Sequence, residues 1–404
     1  MKLKFNLSLL VKIQICLSLL FIGFFINYSR GIKKQINLSK KEIQGYRQFF
    51  DTYKRVKEPD KETVIASQVT LPEQLRYVPS ADSQDIVLKT KKVNIRNVFA
   101  PHNPSIIQYD NGYLLFFCYS IADNKDSSYI GCVELDKNFD QTDKEFVKID
   151  TFNSNSEDPR VFRVGKEAYL TYSKNEAYID PSLPATTMNI ASINLENYKI
   201  QFATELELNF RLVEKNWTPF EYINSHGQPG IFFQYNLKPH KILELPNPKV
   251  NHLLHPVFSK HNTYYINPWE DLLIGWGNLQ GGTPALKIDD KYLAFFHSSF
   301  SDKDGIMWNV MGAYTFKGSP PFQIISMSPH PILFSGIYDS ANLCMNSSRK
   351  NIIFPAGFVV GKEGDKEVIH LSCGENDSAI KIVTIDKQSL LKHLKPVKGF
   401  SIIN

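Results

Sequence analysis

The sequence predicts an all-β chain, a five-bladed β-propeller preceded by an N-terminal membrane anchor and a short, partly helical stem. Three observations carry that prediction. A strand–turn–strand unit that opens on a proline recurs along the chain. Aromatic residues make up 13% of the sequence, with 19 Tyr and 28 Phe, a composition that suits β-structure and sugar binding alike. The first 26 residues have a different texture, with a basic start followed by a nearly continuous apolar stretch.

That leading segment reads "MKLKFNLSLLVKIQICLSLLFIGFFI" and is apolar from Phe5 to Ile26 apart from Lys12. Roughly 20 apolar residues cross a bilayer as a helix. The run from Ile13 to Ile26 is shorter than that, so a cleaved signal peptide is the alternative. No small-x-small cleavage pattern follows, only "NYSRG", which favours an uncleaved signal anchor over residues 1–26. Basic residues flank both ends, so the positive-inside rule does not choose an orientation. The expected location is a single pass through a membrane with the remainder lumenal or extracytoplasmic. Secretion is the alternative. Residues 27–90 are rich in Lys and Glu, as in "KKEIQGYRQFFDTYKRVKEPDKE", and read as the stem. The propeller is expected over residues 91–395.

At 22% charged and 43% hydrophobic, the remainder should be globular. The net charge of +5 is small and spread out, with no Lys/Arg tract carrying interleaved aromatics, which argues against a nucleic-acid partner. Outside the leader, Cys118, Cys132, Cys344 and Cys373 show no CxxC and no metal-ligand spacing. An oxidising compartment would permit a bridge between Cys118 and Cys132 if they lie on neighbouring strands. Four buried free thiols are the other reading. Sequons occur at Asn37, Asn216, Asn346 and Asn376.

The repeat is visible in "NPSIIQYDNGYLLFFCYS" from Asn103, "DPRVFRVGKEAYLTYS" from Asp158, "TPFEYINSHGQPGIFFQY" from Thr218 and "TPALKIDDKYLAFFHSS" from Thr283. Pro104, Pro159, Pro219 and Pro284 follow one another at intervals of 55, 60 and 65 residues. A looser fifth unit runs through "KNIIFPAGFVV" to "EVIHLSCGENDSAIKIVTID". Self-similarity at this period, with several strands per unit, is the signature of propeller blades. A proline fits the start of an inner strand, where no ladder donor is required. An irregular β-sandwich with X-Pro turns is the competing architecture.

In a propeller the residues flanking each such proline face the central axis. His102 and Asn103, Glu157 and Asp158, Asn216 and Trp217, and Gly282 and Thr283 should therefore converge on one funnel. Strand neighbours alternate faces, so one of Glu157 and Asp158 faces the funnel while the other can pair with Arg160 or Arg163. The chemical reading makes one of these carboxyls a general acid. The plain reading is an ion-paired turn. Trp217 offers a ring that can stack on a sugar, or a core residue. Lys215 offers a charge for phosphate or diphosphate. Tyr235, Lys238, His240 and Lys241 in "YNLKPHKIL" form a polar, basic cluster. In "QGGTP", Gly282 would let a ligand approach backbone N–H groups. His297 and the turn carrying Glu375, Asn376 and Asp377 complete the candidates.

Taken in order, "EDPRVFRV", "EKNWTPF", "GGTPALKIDDKYLAFFHSS", "PPFQIISMSPHPIL", "NIIFPAGFVV" and "CGENDSAIKI" resemble the five-bladed propellers of glycoside hydrolase family 130 and the related mannosyltransferases and phosphorylases of glycosyltransferase family 108. The resemblance covers roughly residues 95–385. It implies an inverting reaction on β-mannosides, by phosphorolysis, hydrolysis or transfer. It implies that Asp158 is the general acid, that Arg160 and Lys215 are anion or substrate contacts, and that Asp377 binds a sugar hydroxyl. Two departures bear on the phosphate site. The phosphorylases carry an Arg before the double glycine, where this chain has Gln280. They carry a further Arg after the Lys motif, where this chain has "KPHKI" with His240 as a substitute.

The expectation is therefore a membrane-anchored β-mannosyltransferase of glycan or polysaccharide assembly. A mannoside phosphorylase or hydrolase is the first alternative and a non-catalytic carbohydrate-binding propeller the second. The substrate-binding candidates are Asn103, Arg160, Lys215, Trp217, Tyr235, His240, Gly282, His297 and Asp377, around a catalytic Asp158. The partners expected are a mannoside and a sugar-phosphate or sugar-nucleotide donor. No DxD-type site in a βα pattern is present in the sequence, so no metal and no cofactor is expected.

Overall fold

The computed structural model describes residues 69–121, 124–151, 155–175, 186–206, 213–245, 264–267, 269–270, 277–341 and 351–399. All of these belong to the second of two units, which divide between Arg55 and Val56. The expected anchor, most of the stem, Cys16 and Cys344 lie outside the described residues. Among the described residues no helix is long and apolar enough to cross a membrane.

The chain forms a five-bladed β-propeller of antiparallel sheets. Blade one comprises Phe99–Tyr109, Gly112–Ile121, Asn124–Leu135 and Val147–Lys148. Blade two comprises Ser156–Val164, Glu167–Asn175, Thr186–Asn194 and Lys199–Leu206. Blade three comprises Thr218–Ile223, Pro229–Asn236, His240–Leu245 and Tyr264–Asn267. Blade four has an inner edge in two pieces, Asn278–Gly281 and Leu286–Ile288, followed by Lys291–Ser301, Met307–Lys317 and Ile324–Met327, with Lys395–Pro396 outside. Blade five comprises Ile353–Glu363, Lys366–Glu375 and Ala379–Asp386, and its fourth strand is Val87–Val93 from the start of the domain. That antiparallel pairing, Val93 opposite Ile380, closes the ring.

The recurring prolines sit where the sequence pattern implies. Each inner strand has a ladder partner on one side only, so a residue without an N–H costs little there. Pro104, Pro159, Pro219 and Pro355 lie in inner strands, and Pro284 lies in the gap of blade four's inner edge. The register slips between His102 and Ser105 and again between Glu157 and Arg160. Three residues at the same end of successive inner strands adopt left-handed backbone: Asn103 (φ 46°), Asp158 (φ 55°) and Asn216 (φ 63°). Asn and Asp tolerate that region better than other residues with side chains. The result turns three polar side chains toward one mouth of the propeller.

The core lies between blades. Leu114, Leu115, Phe116, Phe117 and Cys118 are all fully buried, because the strand is covered on both faces. Alternation then sorts them: Leu114 and Phe116 pack toward blade two, and Leu115 and Phe117 toward blade five. Polar ties join neighbouring inner strands, with Val161 N donating to Ser105 Oγ at 3.0 Å and Ala285 N to Pro219 O at 3.1 Å. Residues 69–93 pack on the propeller. They form a short helix, Glu73–Arg76, then a bridge from Ser80 to Leu333, and bury Leu75, Val78, Ala81 and Ile86. Cys118 and Cys132 do lie on adjacent strands, but as buried free thiols, and Cys373 is the same. Asn216 and Asn376 are buried.

Candidate active site

Asp158 is fixed by contacts on three of its groups. Asn103 Nδ2 of blade one donates to its Oδ1 at 2.7 Å. Its backbone N–H donates to Cys118 Sγ at 3.1 Å. Its carbonyl accepts from Arg160 Nη1 at 3.0 Å. A half-buried carboxylate is thereby held at the mouth of blade two.

Arg160 is the strut of this face. It is fully buried, with Nε donating to Gly282 O at 2.7 Å and Nη2 to Asn216 Oδ1 at 3.2 Å. Its guanidinium also lies 5.5 Å from the Phe354 ring centroid. One side chain therefore ties blades two, three, four and five, which corrects the expectation that Arg160 contacts substrate or pairs with Glu157. Burial lowers its pKa, yet a guanidinium this far above neutrality keeps its charge. Glu157 pairs with neither arginine. Its neighbours are Asp158, His102, Asn175 and Lys215, and burial, then the Asp158 charge, raises its pKa. Arg163 is exposed and reaches Gln108 O at 3.5 Å.

A polar cleft of about 320 Å³ opens between blades three and four. Lys215, Asn216, Tyr235, Asn236, Lys238, Asn278 and Gln280 are among its lining residues. Asn216 Nδ2 donates to Gln280 Oε1, so a chain of contacts runs from Asp158 through Arg160 and Asn216 to the cleft wall. Lys215 is exposed there. The Tyr235 hydroxyl donates to Glu214 Oε1 at 3.1 Å, and Lys241 Nζ lies 5.0 Å from its ring centroid. His297 is buried, 4.6 Å from the Phe354 ring centroid. Burial, then the nearby charges of Arg160 and Lys215, push its pKa down to about 3, so the imidazole is neutral.

Four expected contacts are placed elsewhere. Trp217 is fully buried against Phe233 and Tyr235, its indole N–H donating to Glu214 Oε2 at 3.2 Å, so no ring face is open for a sugar. His240 is also fully buried, against the Tyr314 and Phe316 rings, with Nδ1 3.0 Å from Phe322 O. Burial pushes its pKa down to about 4, so it is a neutral core residue and not a substitute cation. Gly282 is buried, and a Cβ there would lie 2.6 Å from Phe295 O and 2.8 Å from Pro355 O. It is glycine because two blades meet on it, and its carbonyl serves Arg160. Asp377 sits in the blade-five hairpin turn with left-handed backbone and is not among the cleft's lining residues. In that turn the buried Glu375 pairs with Lys381 at 2.9 Å and accepts from Ser340 N at 3.1 Å.

A family model described as beta-1,4-mannooligosaccharide phosphorylase matches residues 74–396. The chain belongs to glycoside hydrolase family 130. It is thus an enzyme acting on mannosides, in a family of mannoside phosphorylases and hydrolases. No curated protein sequence matches the chain. Solved structures share the fold at low identity. A GDP-Man-dependent mannosyltransferase from Leishmania mexicana matches at 12% identity and a TM-score of 0.53, over 76% of this chain and 91% of that one. A hypothetical protein from Leishmania major matches at 14% and 0.50, over 78% and 95%. A beta-1,2-mannobiose phosphorylase from Listeria innocua matches at 15% and 0.48, over 77% and 97%. In this family 130 chain Asn216, which its sequence marks only as a neighbour of the funnel, joins the Arg160 strut to the cleft. Cys118, by sequence a disulfide candidate or a small core residue, touches Asp158 through its thiol. Nothing in the local sequence signals either contact, because each crosses between blades.

Proposed function

We propose that this enzyme transfers a β-mannosyl group from a sugar-nucleotide donor to a mannoside acceptor, with inversion. The observation that carries the reading is the cleft joined to Asp158 through Arg160 and Asn216. Its cationic lining residues are Lys215 and Lys238, and the amide Gln280 stands where the phosphorylases it resembles carry an arginine. Arginine's planar fork suits bidentate capture of one phosphate. Two separate ammonium groups, as point charges, suit the spread charge of a diphosphate.

Asp158 accepts the proton of the acceptor hydroxyl, whose oxygen attacks the mannosyl C1 as the bond from C1 to the diphosphate oxygen breaks. The nucleoside diphosphate leaves as an anion held by Lys215 and Lys238. Asn103 sets the plane of the carboxylate and so the direction from which the proton is taken. Inorganic phosphate in the same cleft would give phosphorolysis, the second reading, supported by the family description.

Incubation with mannose oligomers and either GDP-mannose or mannose 1-phosphate separates the two. Chain extension from GDP-mannose is expected, and extension from mannose 1-phosphate alone would favour phosphorolysis. No extension with either would contradict both. The apolar run from Phe5 to Ile26 supports placing this activity at a membrane. The full chain is then expected to stay in the membrane pellet after alkaline carbonate washing, and its release would contradict an anchor.

A further inference from the structure

We infer that Cys118 is a positioning residue for Asp158, holding its backbone in the left-handed conformation that aims the carboxylate into the site. The inference rests on the reading of Asp158 as the group that moves the proton. Left-handed backbone is unfavourable for a residue with a side chain unless its surroundings hold it. At Asp158 (φ 55°) the carbonyl is held by Arg160 and the carboxylate by Asn103. The third contact is the N–H, which donates to Cys118 Sγ at 3.1 Å.

The register of blade one explains how the thiol comes to be there. Cys118 lies opposite His102, and the slip between His102 and Ser105 lifts Asn103 and Pro104 out of the ladder. The same slip recurs in blade two between Glu157 and Arg160, so Asp158 has no ladder partner for its N–H on its own sheet. A sulfur from the neighbouring blade supplies an acceptor. Cys118 is fully buried, and burial together with the charges of Asp158 and Glu157 keeps the thiol protonated. It therefore acts as a neutral acceptor and adds no negative charge beside the carboxylate.

Without that acceptor the part-buried Asp158 N–H is left unsatisfied, which disfavours the conformation that presents it. Relaxation toward ordinary backbone would relieve it and would swing the carboxylate away from Asn103. A shift of about 1 Å at a reacting group costs on the order of a hundred-fold in rate.

The test compares Cys118→Val, close in shape but without an acceptor, with Cys118→Ser, which retains one. Rates are measured with GDP-mannose and mannose 1-phosphate on mannose oligomers, alongside Asp158→Asn and a thermal melt of each variant. The expected result is a kcat lower by about ten-fold or more in Cys118→Val with KM unchanged, and recovery in Cys118→Ser. Equal kcat in Cys118→Val and the parent, or equal loss in Val and Ser variants of matched stability, would overturn the inference. A fully active Asp158→Asn variant would instead remove the proton-transfer reading on which it rests. Should neither donor be turned over, a crystal structure of Cys118→Val decides independently. Asp158 should leave positive φ and lose its contact with Asn103, and an unchanged Asp158 would overturn the inference.

Discussion

At the scale of single residues, the site is made by contacts that fix charge and direction together. Asp158 is oriented by an amide, a guanidinium and a thiol, none of which comes from its own turn except Arg160. The two buried histidines show the opposite use of a titratable group. His240 and His297 are held neutral by burial, with pKa values of about 4 and about 3 against an ordinary 6.5. Their lowered values mean that the unfolded chain binds protons more readily than the fold. The stability this contributes is complete above pH 6.5 and is lost as pH falls toward 4. For His240 the loss should reach at most about 3 kcal/mol. Urea midpoints measured across that range should fall with acidity, and less steeply in His240→Gln. An unchanged slope would show that His240 does not titrate as its burial implies.

At the scale of elements, the strands explain why some residues were legible and others were not. The prolines and aromatic strands mark the inner strands because edge position and two-sided burial leave a local imprint on sequence. For Trp217 the sequence left a sugar-stacking ring and a core residue both open, and the packing decides for the core. The left-handed Asn216 before it turns the amide toward Arg160 and leaves the indole in the packing between blades two and three. His240 is a similar case, since "KPHKI" looks like a basic cluster while the strand buries its histidine under rings from blade four. The closing strand, Val87–Val93, reads as "VLKTKKV" and blends into the polar stem, because only its two ends are buried. Its partner, Ala379–Asp386, is buried along its whole length. A chain beginning at Val69 should remain monomeric and melt cooperatively. One beginning at Ile95 would expose an apolar edge and should aggregate on size-exclusion chromatography. A monomeric, cooperatively melting product from Ile95 would show that ring closure does not depend on this strand.

At the scale of the whole molecule, four of the five blades bring to one mouth groups that lie far apart in the chain. Asn103, Asp158, Asn216, Gln280 and Gly282 are joined by hydrogen bonds through Arg160 or directly. The repeat made the convergence legible. The partners within it were not, since they depend on how neighbouring blades pack. We propose that Asp158 at this mouth moves the proton in β-mannosyl transfer. The most direct test is the initial rate of mannose-oligomer extension from GDP-mannose by the parent and by Asp158→Asn, each with its melting curve. A loss of about a hundred-fold or more with the fold intact is expected. An Asp158→Asn rate equal to the parent's would contradict it.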